Sequence, residues 1–207
     1  MKKFMIMVVF IISIAYSKII RLESCSHSEV LEAYIRCNDG DTIKIPEDTV
    51  VWKDALNLNK GITLMGAGIN KTWIKWGGGD GKAIFIINPS NPQKNDFYRI
   101  TGFTIDGDSI IDTRGIYIRN KGSIFVKNIR IDNNKIINCI GYGIETYGSI
   151  YGLIDNNIFT NNPKVFRFLG DNDASWAEPL KVGCINYLYI ESNTIATGNN
   201  GIVISSG

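Results

Sequence analysis

One phrase recurs along the chain in matching register: Ile131-Asp132-Asn133-Asn134-Lys135-Ile136, then Ile154-Asp155-Asn156-Asn157-Ile158-Phe159, then Ile190-Glu191-Ser192-Asn193-Thr194-Ile195. The copies lie 23 and 36 residues apart, so the second interval reads as one unit of similar length carrying an insertion of 13 residues. A second phrase marches with the first, as Gly115-Ile116-Tyr117-Ile118, Gly143-Ile144-Glu145-Thr146 and Gly201-Ile202-Val203-Ile204. Repeats of this length with several short strands each predict a solenoid of stacked coils, because a single unit cannot bury its apolar face alone. Stacked coils bring equivalent residues to about 4.8 Å, which lets Asn134, Asn157 and Asn193 bond one another as a ladder. Asn also tolerates the left-handed backbone of a sharp corner. The plainer alternative is a set of solvated turn asparagines, but the flanking isoleucines keep register with them.

Ahead of the repeats, Met1-Lys2-Lys3, the apolar run Phe4 to Ala15 and the small-x-small exit Ala15-Tyr16-Ser17 read as a signal peptide, residues 1–17, cleaved after Ser17. A membrane anchor needs roughly 18 or more apolar residues, and Ser17, Lys18 and Arg21 arrive too soon. A lipobox at Leu22-Glu23-Ser24-Cys25 is disfavoured by its internal charge and its distance from the apolar run. Cleavage takes Lys2 and Lys3 and no acid, bringing the formal charge from +2 to neutral, which argues against nucleic acid as a partner.

Residues 18–40 hold an N-terminal segment and a helix. Ser26-His27-Ser28-Glu29 reads as a capping box, and Val30, Ala33, Tyr34 and Cys37 recur on one helical face. A helix of that length sets Cys25 and Cys37 roughly 15 Å apart, beyond the reach of a disulfide, so they are expected to be unbonded to each other. Cys139 and Cys184 sit among apolar residues with no His or Cys at ligand spacing and read as buried thiols.

Asn38-Asp39-Gly40-Asp41 is a turn cluster, followed by short strand patterns at Thr42–Pro46, Ile62–Gly66, Ala83–Ile87 and Ile100–Ile105. Strand alternation and the repeat register agree in pointing Ile116, Ile118, Ile131, Ile144, Ile154, Ile190 and Ile202 into one core. The same alternation turns Tyr117, Arg119, Glu145 and Tyr147 outward, with Tyr117 beside Glu145 and Arg119 beside Tyr147. Two rings with a cation and a carboxylate on a ridged face suit a sugar chain; the plainer reading is an exposed sheet with an Arg119–Tyr147 contact and an Arg119–Glu145 diagonal pair.

The stretch Cys25 to Trp76 carries a short capping helix, then Asp39-Gly40-Asp41-Thr42-Ile43, Pro46, and Gly61-Ile62-Thr63-Leu64-Met65-Gly66-Ala67-Gly68. With the Asn-Asn repeats, it resembles the entry to secreted pectate-lyase-like proteins of the pectin lyase superfamily. That resemblance implies an all-β fold, a right-handed single-stranded parallel β-helix with an N-terminal capping helix, over residues 41–207. Gly66-Ala67-Gly68 is not a phosphate loop, since no Lys-Ser/Thr follows and no helix pattern starts; it reads as a coil corner. The chain ends at Ile202–Gly207 without a terminal cap, and the expectation is a truncated member incomplete at its C-terminus.

The resemblance implies action on an extracellular polysaccharide, with elimination slightly preferred over hydrolysis, or else a non-catalytic adhesin or glycan-binding scaffold. Elimination asks for an Arg or Lys base and often calcium, hydrolysis for two carboxylates. The insertion, roughly residues 163–180, offers Arg167, Asp171, Asp173 and then Lys181 as catalytic candidates, and Trp176 and Glu178 for substrate binding. The bland alternative is a solvated loop whose Trp packs back onto the coil. Asp132, Asp155 and Glu191 form an acidic column that asks either for a cation, calcium being the candidate, or for wide exposure. His27, the one histidine, lies beside the helix N-cap and is read as structural. The expected partner is a polysaccharide, and the expected state an extracytoplasmic monomer.

Overall fold

A computed structural model describes residues 17–94, 96–120, 124–170, 188–196 and 202–206. Residues 1–16, all but the last of the segment expected to be a signal peptide, lie outside them, as do Asp171, Asp173, Trp176, Glu178, Lys181 and Cys184. After strand β1 (Ile19–Arg21) and helix α1 (His27–Arg36), the chain winds in coils of three strands. The first is β2 (Thr42–Lys44), β3 (Asp48–Trp52) and β4 (Leu56–Leu58); the second is β5 (Thr63–Met65), β6 (Thr72–Trp76) and β7 (Ala83–Ile87). Next come β8 (Tyr98–Thr101), β9 (Phe103–Asp106) and β10 (Arg114–Arg119), then β11 (Val126–Asp132), β12 (Lys135–Ile137) and β13 (Tyr142–Tyr147). The last two coils are β14 (Ile150–Asp155), β15 (Ile158–Thr160) and β16 (Phe166–Gly170), then β17 (Leu188–Glu191), β18 (Thr194–Ala196) and β19 (Ile202–Ser206). Every third strand pairs in parallel with its equivalent in the next coil, giving three sheets, here called first, second and third in the order each coil visits them. This is the right-handed parallel β-helix.

The repeat produces the core directly. Ile43, Leu64, Ile100, Ile131 and Ile154 align in one inward column of the first sheet. Leu56, Phe85, Ile116, Ile144 and Phe166 do the same in the third. Ile116, Ile118, Ile131, Ile144 and Ile154 are fully buried, as the alternation requires. Ile190 departs from the expectation at 37% exposed; among the described residues β17 pairs with β14 alone. Ile202 lies in β19, in register with Phe166, and its side chain is outside the description.

The expected strand Ile100–Ile105 is two strands. Gly102 takes φ +80° and turns the chain from the first sheet to the second, at the corner position that Asn133 (φ 54°), Asn156 (φ 55°) and Ser192 (φ 54°) occupy in later coils. The left-handed residue therefore precedes the ladder asparagine rather than coinciding with it. Asn157 Oδ1 accepts from Asn134 N at 3.0 Å and Asn134 Nδ2 at 3.1 Å, and Asn193 Oδ1 accepts from Asn157 N at 2.9 Å and Asn157 Nδ2 at 3.0 Å. The Gly66–Gly68 turn is a corner as well, its amides spent on Thr101 O, Thr72 Oγ1 and Gly102 O.

Helix α1 covers the first coil with Val30, Ala33 and Tyr34. Half of the capping box forms: Ser26 Oγ accepts from Glu29 N, while the Glu29 carboxylate accepts from Glu23 N and Ser24 Oγ instead of the Ser26 amide. Cys25, Cys37 and Cys139 are free and buried.

The insertion starts later than the sequence spacing places it. Phe166-Arg167-Phe168-Leu169 is strand β16, seated between β13 and β19, so Arg167 is a sheet residue and not a loop residue. The Gly-Ile phrase at Gly143 and that at Gly201 are two coils apart, with Phe166 in the place between Ile144 and Ile202.

Candidate ligand-binding face on the third sheet

The outer face of the third sheet carries two rows across neighbouring coils: Tyr117, Glu145 and Arg167 in one, Arg119, Tyr147 and Leu169 in the other. The expected adjacency of Tyr117 with Glu145 and of Arg119 with Tyr147 is the observed register. Glu145 itself is not an exposed residue of this face; it is 3% exposed, because two guanidiniums lie over it. Arg114 Nε donates to Glu145 Oε2, and Arg167 Nη1 donates to Oε1 at 3.1 Å. The expected diagonal pair of Arg119 with Glu145 is replaced by these two.

Arg114 is fixed further by Gly81 O at 3.0 Å and Asp112 O at 3.3 Å, and its guanidinium stands 5.9 Å from the Tyr117 ring centre. Arg167 and Lys164 lie 5.1 and 5.0 Å from the Tyr142 ring centre. Burial, and after it the charge of Glu145, push the Tyr117 phenol above its ordinary value. Arg119 differs from its neighbours: its Nε is buried with no hydrogen-bond partner among the described residues. Arg114 precedes the Gly-Ile phrase, so the repeat does not mark it. Arg167 was expected in the insertion as a catalytic candidate; the in-out alternation of Phe166 to Leu169 is the signal that would have placed it on the sheet.

On the first sheet the acidic column is real, with Asp132 level with Asp155 and Asp155 with Glu191. Asp132 and Asp155 are buried, not widely exposed, and arginine supplies the positive charge. Arg99 donates to Asp132 through Nε at 2.7 Å and Nη2 at 2.6 Å; Arg130 donates to Asp155 through Nε at 3.2 Å and Nη2 at 3.0 Å. Each arginine reaches the acid of the next coil. Glu191 is exposed, and Leu153 stands where the arginine of that step would be.

A family model described as Periplasmic copper-binding protein (NosD) matches residues 86–199. The chain belongs to this family. Among curated proteins no match is found. Among solved structures, ORF18 of Geobacillus virus E2 is similar at 18% identity with a TM-score of 0.44, over 77% of this chain and 33% of that one. The chain thus spans about a third of the length of that structure.

The described residues do not fit the copper of the NosD family name. Copper needs imidazole, thiolate or thioether groups converging on one point, and among the described residues no three of His, Cys, Asp and Glu cluster as a metal site would require. His27 stands edge-on to Trp52 at 5.0 Å. Burial, with Asp48 nearby, pushes the Cys25 thiol up to about 11, and burial raises Cys37 and Cys139 as well, so these sulfurs stay protonated. Among the described residues no helix is long and apolar enough to cross a membrane.

Proposed function

We propose that this chain is an extracytoplasmic β-helix protein that binds a polysaccharide along the outer face of the third sheet. The observation that carries the reading is the diagonal placement of Tyr117 and Tyr147 on neighbouring strands, with the fixed guanidiniums around Glu145 between and beside them. Aromatic rings on a flat, ridged surface stack on sugar faces, and oriented guanidinium donors bond hydroxyls and ring substituents. Arg119, level with Tyr147 in the second row, adds a cation beside that ring. An extracytoplasmic place is supported by the periplasmic description of the family and by the basic-apolar leader at Met1 to Ser17.

Binding without cleavage suits this face better than elimination or hydrolysis. Hydrolysis needs two free carboxylates and elimination a free base beside a neutralised carboxylate. Here both oxygens of Glu145 are already taken by Arg114 and Arg167.

The test is Tyr117→Ala with Tyr147→Ala, measured for affinity against a panel of acidic and neutral oligosaccharides alongside thermal unfolding. The expected result is at least a tenfold loss of affinity, since a stacked ring contributes about 1–3 kcal/mol to such contacts, with the cooperative transition retained. Unchanged affinity in a folded double variant overturns the assignment of this face, and release of unsaturated products by the wild type overturns the non-catalytic reading.

A further inference from the structure

A groove of about 430 Å³ opens at the corner between the first and second sheets, near the helix-capped end of the stack. Its walls are set by three neighbouring strands, β1, β2 and β5, and by the segments that follow them. Leu22, Ile45, Pro46, Met65 and Ala67 give it an apolar lining. Arg21 and Lys44 flank it, and they stand directly level with each other on β1 and β2.

Two cations at that spacing repel, and a parallel pair normally offsets such a contact with an acid nearby. Among the described residues neither Arg21 nor Lys44 has an ion pair or a side-chain hydrogen bond, and the adjacent Glu47 is engaged by Lys71 at 3.5 Å. The other cationic steps of the same sheet are compensated, Arg99 by Asp132 and Arg130 by Asp155. The uncompensated step coincides with the concave one.

From this coincidence we infer that the groove is a binding site for a small organic oxyanion, with Arg21 and Lys44 as its charge-reading residues. Backbone amides take no part, because those of Gly66, Ala67 and Gly68 are spent inside the corner. The anion is therefore held by side chains: the guanidinium offers a planar pair of donors and the ammonium a point charge, which together suit a carboxylate or a phosphate group. The volume falls within the range of small-ligand sites and leaves room for an apolar or sugar-ring body against Leu22, Ile45 and Pro46. This site lies on a different sheet from the proposed polysaccharide face and stands or falls independently of it.

The test uses the whole secreted chain, titrated with inorganic phosphate, with citrate and with a soluble hexose phosphate, read by amide chemical shifts. Saturable shifts are expected at Arg21, Leu22, Lys44, Ile45 and Ala67. Arg21→Gln and Lys44→Gln should each weaken binding about tenfold, the value of one charge-assisted hydrogen bond, while Lys75→Gln on the second sheet leaves it unchanged. A tighter fit for the hexose phosphate than for inorganic phosphate places the organic body in the groove. Citrate binding in place of phosphate makes the ligand a carboxylate. Absence of saturable shifts with all three probes, or equal weakening by Lys75→Gln, overturns the site.

Discussion

Asp132 has no exposed surface, yet it sits in a sheet directly level with a second buried acid, Asp155. Burial alone raises its pKa; the two hydrogen bonds and charge of Arg99, with Asn133 Nδ2 and Arg130, outweigh burial and hold it below the ordinary carboxylate value. A group depressed in the folded state binds its proton less readily there than in the unfolded chain. Its contribution to stability is therefore complete above the unfolded value, about pH 4, and is lost as pH falls through the lower folded value. Asp132→Asn is expected to lower stability at pH 7 by about 1–3 kcal/mol, since it leaves the half-buried Arg99 without its charge partner. It should also flatten the loss of stability below about pH 4. Denaturant titrations of both proteins between pH 2 and pH 7 measure this, and parallel curves at all pH values would contradict the assignment. The acids of this column were legible in the sequence because they share the Ile-Asp-Asn-Asn phrase. Their counter-ions were not: Arg99 belongs to a coil whose corner is Gly102, so the phrase does not mark it, and the choice among calcium, solvent and arginine turns on a neighbour one coil away.

At the scale of elements, local signals are legible where one element answers to one period. The helix over His27–Arg36 follows from a 3.6-residue pattern and a Ser N-cap, and the ladder asparagines follow from the repeat. Two features escaped because they depend on the coil as a whole. Gly102 divides an apparently continuous β-rich run, since its positive φ serves a corner defined by the next coil. Strand β16 lacks the Gly-Ile opening of its neighbours and begins instead at Phe166, so the repeat spacing assigns it to the insertion. The end of α1 depends likewise on a distant residue. Lys60 Nζ donates to the last helix carbonyls, Tyr34 O at 2.7 Å, Ile35 O at 3.1 Å and Cys37 O at 2.7 Å, while its ammonium lies 4.8 Å from the Tyr34 ring centre. A cation at a helix C-terminus also meets the negative end of the helix dipole. Lys60→Met keeps the stem and removes the charge; it should cost about 1–2 kcal/mol. Amide exchange should quicken at the amides of residues 34–37 before it does in the coils. Unaltered exchange there would mean that packing of Val30 and Ala33 alone holds the helix.

For the molecule as a whole, stability runs along the stack. Each coil touches only the coils before and after it, so the energy is close to a sum of coil terms and nearest-neighbour interfaces. The inward columns make those interfaces: Ile154 meets Ile131 below and Ile190 above, is fully buried, and lies in the same coil as Phe159, whose ring stands 4.9 Å from Phe166. Removing three carbons from a site with rigid strands on both sides leaves a cavity that the backbone cannot close, because the Asn134–Asn157–Asn193 ladder fixes the coil spacing at the adjacent corner. Ile154→Ala should therefore cost about 2–5 kcal/mol. In a globular core that loss would be felt evenly. In a stack it should be graded: exchange should quicken most in β11, β14 and β17, less in β8, and least in the coil of β2 to β4 beneath the capping helix. Hydrogen exchange followed strand by strand, with equilibrium unfolding of the same variant, reads both quantities. A uniform rise across all coils would show that the stack unfolds as one unit, and a loss well under 2 kcal/mol would show that the column is packed more loosely than its burial implies.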